Sequence, residues 1–430
     1  MKKFFVTGLL IMTTHFLLAQ NIDKIVNANE VERIERTLAS DEMQGRKAFT
    51  PAIDKAADFI AAEFAGSKLG FWGNSKSYFQ EFAMIKAKAI DIAGTLDGEA
   101  LNANNVAANS TAAEIHIHSL KDYEIVLVKK GDDFSKVVFP IFEVEKNVLV
   151  LVDTSFTRRF RGMQRFAGNA KFASAVSQVF ILTTNLSPSA ISLHIKNELT
   201  EQRLKNVVGI LPGKSKKDEF VIFSGHYDHL GIGKPGNNQD SIYNGANDDA
   251  AGITAVIMLA NYYSKLKNNE RTLVFVAFTA EEIGGFGSRY FSKQFKAEKV
   301  MAMFNIEMIG TESKWGKNSA YITGFERTDM GTILQKNLEG TGFTFYPDPY
   351  PAQNLFFRSD NATLAELGVP AHTISTSKMD SEPNYHKVSD QVETLDMENM
   401  AMIIKSIALS AKSIINGKDS PTRVKVEELR

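Results

Sequence analysis

The segment Thr272–Phe278 reads Thr-Leu-Val-Phe-Val-Ala-Phe, an apolar run with no polar break after its threonine. A strand with one wet face alternates apolar and polar residues. A run without alternation predicts a strand covered on both faces, as in a parallel sheet sandwiched between helices. Val300–Ile306 is a second such run, and Val207–Leu211, Phe220–Phe223 and Val369–Ile374 read as further strands. Helical patterns lie between and after them, at Ile253–Leu266 and Met397–Ile415, and before them at residues 27–40 and 52–65. Strands alternating with helices predict an α/β fold with a mainly parallel, mixed central sheet and helices on both faces.

From about residue 85 to 205 the texture changes. Short β-like runs occur at Tyr123–Lys129, Val138–Val144, Val148–Val152, Gln178–Thr183 and Ile191–Ile195, around a basic, Phe-rich stretch at Thr157–Phe172. Residues 86–204 are therefore expected to form a small β-rich insert. Residues 20–85 and 205–416 make the main domain, and the polar tail 417–430 is expected to fray.

Hydrophobic residues make up 44% of the chain, enough for a sizeable core. The 49 Lys and Arg balance 50 Asp and Glu, which gives no reason to expect nucleic acid or an anionic membrane as partner. There is no Cys, so disulfides, a thiol nucleophile and thiolate metal ligands are excluded. Any zinc must be held by His and carboxylates. Lys2 and Lys3 precede an apolar stretch, Phe4–Leu18, with Ala19 at a small-residue cleavage position. Residues 1–19 thus read as a secretory signal peptide, and the expected location is secreted or periplasmic. No other apolar run approaches the ~20 residues of a membrane span.

Polar residues gather where the strands end. Phe220–Phe223 runs into Ser-Gly-His226-Tyr-Asp228-His229, Thr272–Phe278 into Thr-Ala-Glu281-Glu282, and Val300–Ile306 into Glu307. Tyr385 and His386 lie beyond Val369–Ile374, and Asp248 and Asp249 open the helix at Ile253. In an open parallel sheet the C-terminal strand ends share one edge, where ligands collect. Two His and three carboxylates can serve two zinc ions with one carboxylate bridging, and a further unligated carboxylate can act as general base. His229 and His372 read as structural. His116 and His118 share a strand face but have no evident carboxylate partner, which makes a poor metal site.

The segments GHYDHLG, NGANDDAAG, FTAEEIGGFGS, FNIEMIG and NYHKVSD resemble the di-zinc exopeptidases that include the secreted bacterial leucyl aminopeptidases and glutamate carboxypeptidase II. The resemblance covers about residues 205–415 and extends loosely to LASDEMQGR and KAADFIAAEF. It implies a secreted zinc aminopeptidase acting on peptides through a zinc-bridged hydroxide. By position, it implies that Asp248 bridges two zincs. Glu282 and His386 complete one site, and His226 and Glu307 the other. Glu281 is then the general base. Asp228 orients His226 through its ring N–H, the Asp248–Asp249 peptide is cis, and Tyr385 stabilises the oxyanion. The chain departs from the pattern at Glu307, where the family often has Asp, and at Asn361, where many members have His. Phe356 also stands where some members carry an oxyanion tyrosine. A carboxypeptidase, a glutaminyl cyclase-like acyltransferase with one zinc and a non-catalytic binding ectodomain are the rival readings.

Overall fold

A computed structural model describes residues 22–235 and 239–429. The expected signal segment, residues 1–19, lies outside the described residues. The described residues divide into two compact units, one within residues 22–81 and 204–429 and the other residues 82–203.

The main sheet of the larger unit includes β1 (Ile191–Leu211, which enters this unit at its C-terminal part), β2 (Lys216–His226), β3 (Arg271–Phe278), β4 (Val300–Ile306), β5 (Ser319–Ile322), β6 (Thr344–Pro347) and β7 (Ala371–Ser375). They lie in the order β6-β5-β7-β4-β2-β3-β1. β3, β2, β4 and β7 are mutually parallel, whereas β1 and the β5–β6 pair meet them antiparallel. The mixed, mainly parallel sheet expected from the apolar runs is therefore present. The register aligns Phe278 with His226 and Ile306 with Ile374, so the parallel strands end together.

Every residue of β3 is buried. Its alternate side chains serve two cores. Phe275 and Phe223 stack 5.6 Å apart on the face covered by Tyr263 of helix α3 (Ala251–Leu266). Val274, Val276 and Ile222 pack with Phe291, Leu364 and Ala365 on the other. Helices α1 (Ala28–Leu38), α2 (Pro51–Gly66) and α4 (Met397–Ser410) lie against α3.

Two expectations fail here. The helix foreseen over Met397–Ile415 breaks at Ala411, and a separate turn of helix follows at Lys412–Ile415. The tail does not fray: Val424 is buried in the core, and Arg423 donates to the carbonyls of Val300 and Ala297 at 2.7 and 2.9 Å. One valine and one arginine anchor a segment whose composition is otherwise polar.

The smaller unit holds a four-stranded sheet in the order Val106–Asn109, Gln178–Thr183, Val148–Asp153, Glu124–Val128. Glu114–Ile117 pairs antiparallel with β1 within this unit. The run Val138–Val144 is helical, not strand: Phe134–Val138 is a short α-helix and Phe139–Glu143 a 3-10 turn. Asp133 caps it by accepting from the backbone N–H groups of Ser135 and Lys136, and Pro140 could not donate to a ladder. The Phe-rich stretch contributes a helix, Thr157–Ala167, which buries Phe160 and Met163.

Candidate metal centre

The loops at the ends of β2, β3, β4 and β7, and the turn that opens α3, bring His226, Asp248, Glu282, Glu307 and His386 together. Asp248 is at the middle: its Oδ1 lies 3.3 Å from Nε2 of His226, and its Oδ2 lies 3.2 Å from Nε2 of His386. His386 Nε2 is also 3.2 Å from Oε2 of Glu282. His226, Asp248 and Glu307 present ligand atoms within 4.8 Å of one another, as do His229, Asp248 and Glu282. Glu281 points Oε2 toward His226 Nε2 at 4.0 Å.

Local structure fixes these positions. The Asp248–Asp249 peptide is cis. Asp249 turns inward and accepts from the backbone N–H groups of His226 (3.2 Å), Gly252 (3.0 Å) and Met308 (3.1 Å). One carboxylate thus ties the end of β2, the start of α3 and the end of β4. Only glycine fits beside it: a Cβ on Gly252 would sit 2.1 Å from the Ile306 carbonyl and 2.3 Å from Asp249.

Asp228 acts differently from the role the resemblance implies. Its carboxylate is 3.9 Å from His226 Nδ1, whereas its backbone carbonyl is at 3.1 Å. The carboxylate instead accepts from the N–H groups of Glu281 (3.0 Å) and Glu282 (3.3 Å), and so orients the glutamate pair. The two backbone donors at the turn after β3 attract it more directly than the ring does.

Three supporting residues escaped the sequence reading. His229 lies inside the cluster, with Nδ1 2.7 Å from Glu282 Oε1. Asp390 accepts from the N–H groups of Asn247 (2.9 Å) and Asp248 (3.0 Å), which fixes the turn carrying the central aspartate. Arg46, fully buried, donates to the carbonyls of Tyr227 (2.8 Å), Leu38 (2.6 Å), Asn244 (2.6 Å) and Gly245 (2.8 Å). Asp390 and Arg46 fall within the segments NYHKVSD and LASDEMQGR, the only sequence signal they give. His372 is structural, buried between the Thr323 carbonyl and the Thr328 hydroxyl, each at 2.8 Å. Asn361 ties the Phe356 carbonyl at 2.9 Å and the Thr373 hydroxyl at 2.8 Å.

Asp228, Asp248, Asp249, Asp360 and Asp390 are all buried around three imidazoles. Burial pushes Glu281 well above the ordinary glutamate range and Glu307 up to about 7, and neighbouring carboxylates add to both shifts. Burial presses His226 toward neutrality, but Asp248, Glu281 and Asp249 outweigh it and hold the ring well above its ordinary value. Hydrogen bonds to Asp248 and Glu282 raise His386 to about 10. Such a cluster of buried negative charge is costly without cations among it. His226 Nε2 and Glu307 Oε2 are buried with no hydrogen-bond partner. Imidazole nitrogens and carboxylate oxygens facing inward, with partners missing, fit a divalent ion of the zinc type, whose binding would displace the ring protons. Beside the cluster opens a pocket lined by Glu307, Met308, Tyr321, Leu355, Arg358 and Tyr385. There Arg358 Nη2 lies 3.5 Å from the Tyr385 hydroxyl. Phe356 is buried against the Arg327 guanidinium, 4.9 Å from its ring, and does not line it.

Residues 206–411 match the model of Peptidase family M28. A probable leucine aminopeptidase of Trichophyton verrucosum is 26% identical over 203 residues, covering 45% of this chain and 53% of that protein. Aminopeptidase YwaD of Bacillus subtilis is 22% identical over 245 residues, covering 53% of this chain and 48% of that protein. The chain spans about half the length of these curated relatives. Among solved structures, an aminopeptidase from Aneurinibacillus superposes with a TM-score of 0.55 at 18% identity, over 94% of this chain and 97% of that one. BSAP, a zinc aminopeptidase from Bacillus subtilis, gives 0.54 at 16% identity, over 91% and 95%. The resemblance carried by the five segments holds as far as residues 206–411, which match the Peptidase family M28 model, and the fold is that of solved zinc aminopeptidases.

Proposed function

We propose that this M28 chain is an exported aminopeptidase that holds two zinc ions and removes N-terminal residues from peptides. The observation that carries the reading is the position of Asp248, with one oxygen toward His226 and the other toward His386. His226 and Glu307 would hold one ion, Glu282 and His386 the other, with Asp248 between. His229, hydrogen-bonded to Glu282, keeps that carboxylate in place. Bound zinc supplies Lewis acidity toward the scissile carbonyl and makes an attacking water acidic.

The remaining chemistry belongs to the chain's own groups. Glu281, its backbone fixed by Asp228, accepts a proton from the attacking water and delivers it to the leaving amine. Tyr385 keeps its hydroxyl proton, because burial pushes its pKa up to about 12, and donates to the carbonyl oxygen as it gains charge. Arg358 beside it adds positive charge on the same side of the pocket. The export reading rests on the basic and apolar order of residues 1–19.

Arg358 also supports a second reading, capture of a substrate carboxylate by a carboxypeptidase. Digestion of a mixed peptide library by the zinc-loaded protein, followed by mass spectrometry, separates the two. Loss of N-terminal residues is expected. Loss from the C-terminus supports the second reading, and cyclisation of N-terminal Gln without cleavage supports the acyltransferase. Glu281→Gln should keep its zinc by elemental analysis while turnover falls by roughly 10²–10⁴-fold. Wild-type turnover in that variant refutes the assigned base.

A further inference from the structure

The smaller unit carries a second cluster of metal-type side chains. Glu114, His116 and His118 follow at intervals of two in one segment, which places them on one face. Within the antiparallel pair, His116 lies directly opposite His194 of β1. Their rings stack with centroids 4.4 Å apart and planes 9° from parallel. One carboxylate oxygen, Glu114 Oε2, lies 3.0 Å from His116 Nε2 and 3.6 Å from His194 Nε2. The three groups present ligand atoms within 4.8 Å of one another. His194 Nε2 is hidden from solvent and has no hydrogen-bond partner, although its side chain is 37% exposed. His118 flanks the group, its ring centroid 6.1 Å from that of His116.

We propose that Glu114, His116 and His194 form a divalent transition-metal site, separate from the M28 centre and independent of its assigned activity. Cross-strand imidazoles on one sheet face can both turn a nitrogen toward one ion, because directly opposed residues lie within side-chain reach of each other. The carboxylate provides the third ligand and part of the charge. The His116 hydrogen bond holds the Glu114 carboxyl below the ordinary glutamate range. Two imidazoles and one carboxylate suit zinc, copper(II) or nickel(II) better than calcium or magnesium, which favour all-oxygen shells. The ligands are partly exposed, so positions on the ion remain open to water. Along the sequence Glu114 stands two residues before His116, a carboxylate overlooked when the two histidines are read alone, and the fold adds an imidazole from 78 positions away.

The test is equilibrium dialysis of the full chain against zinc, with bound metal counted by elemental analysis. At saturation the wild type should hold one more ion per chain than His194→Ala or His116→Ala. Glu114→Gln, which preserves shape, should weaken that ion's binding tenfold or more. All three variants should keep wild-type circular dichroism and whatever peptidase activity the wild type shows, since none of the three residues belongs to the M28 centre. Equal zinc content in the wild type and His194→Ala overturns the proposal. So does displacement of the extra ion by equimolar calcium. An inactive wild type that still holds the extra ion refutes the peptidase reading and leaves this site standing.

Discussion

Gly252→Ala tests how the site is braced. The added methyl would lie 2.1 Å from the Ile306 carbonyl oxygen and 2.3 and 2.5 Å from the two oxygens of Asp249. A carbon–oxygen contact settles no closer than about 3.3 Å, so about 1 Å of movement is needed. Neither neighbour gives way easily. Ile306 ends a strand with a neighbour on either side, and Asp249 is held by three backbone donors. Overpacking of a tight core costs about 1–3 kcal/mol, and a lost hydrogen bond to a charged group about as much again. The expected destabilisation is about 3 kcal/mol, which lowers Tm by roughly 5–10 °C. Turnover should fall as well, because His226 and Met308, beside Glu307, hang on the displaced carboxylate. Gly66→Ala is the control: nothing lies within 4 Å of its Cβ position at the end of α2, and stability should hold or rise slightly. Thermal melts by circular dichroism and peptide turnover read the outcome. A Gly252→Ala protein with the Tm and activity of wild type would show that Asp249 does not brace the site.

Other outcomes follow from the same structure. Burial lowers the pKa of His372 to about 4, below the ~6.5 of an unfolded histidine. The unfolded chain therefore takes up the proton first. The stability this ring contributes is intact above about pH 6.5 and is lost as pH falls toward 4, amounting to roughly 3 kcal/mol. Tm against pH should lose that slope in His372→Gln, and superimposable slopes would contradict it. Tyr385→Phe should lower kcat by roughly 10²-fold with little change in KM, and a pure KM effect would remove Tyr385 from the reacting carbonyl. Chelation at neutral pH should lower Tm, since ions bound at a thousand times their Kd stabilise by about 4 kcal/mol. An unchanged melt after confirmed metal loss would mean that the buried carboxylates need no cation.

The parallel strands were legible because burial on both faces writes a continuous apolar run, as at Thr272–Phe278. The cluster was legible because parallel strands deliver whatever follows them to one edge. What stayed hidden depends on backbone partners. Asp228, Asp390 and Arg46 act on main-chain N–H and carbonyl groups, and those groups look the same behind every side chain. Register was hidden too: nothing in the order of residues sets His194 opposite His116. In Val138–Val144 the β-branched residues masked a proline and an upstream cap. In the tail, a polar composition masked two residues that anchor it.

Arg46 also has a consequence for the order of assembly. Its guanidinium waits for carbonyls at Tyr227, Asn244 and Gly245, which lie 181 to 199 positions downstream. At the ~5–20 residues per second of synthesis, those partners arrive roughly 10–40 seconds after the arginine itself. All of residues 82–203 emerge in the interval, and their sheet pairs within itself. The turn that precedes Asp248 therefore cannot close on this arginine until about residue 245 has been made, and a residue made near the beginning is its keystone.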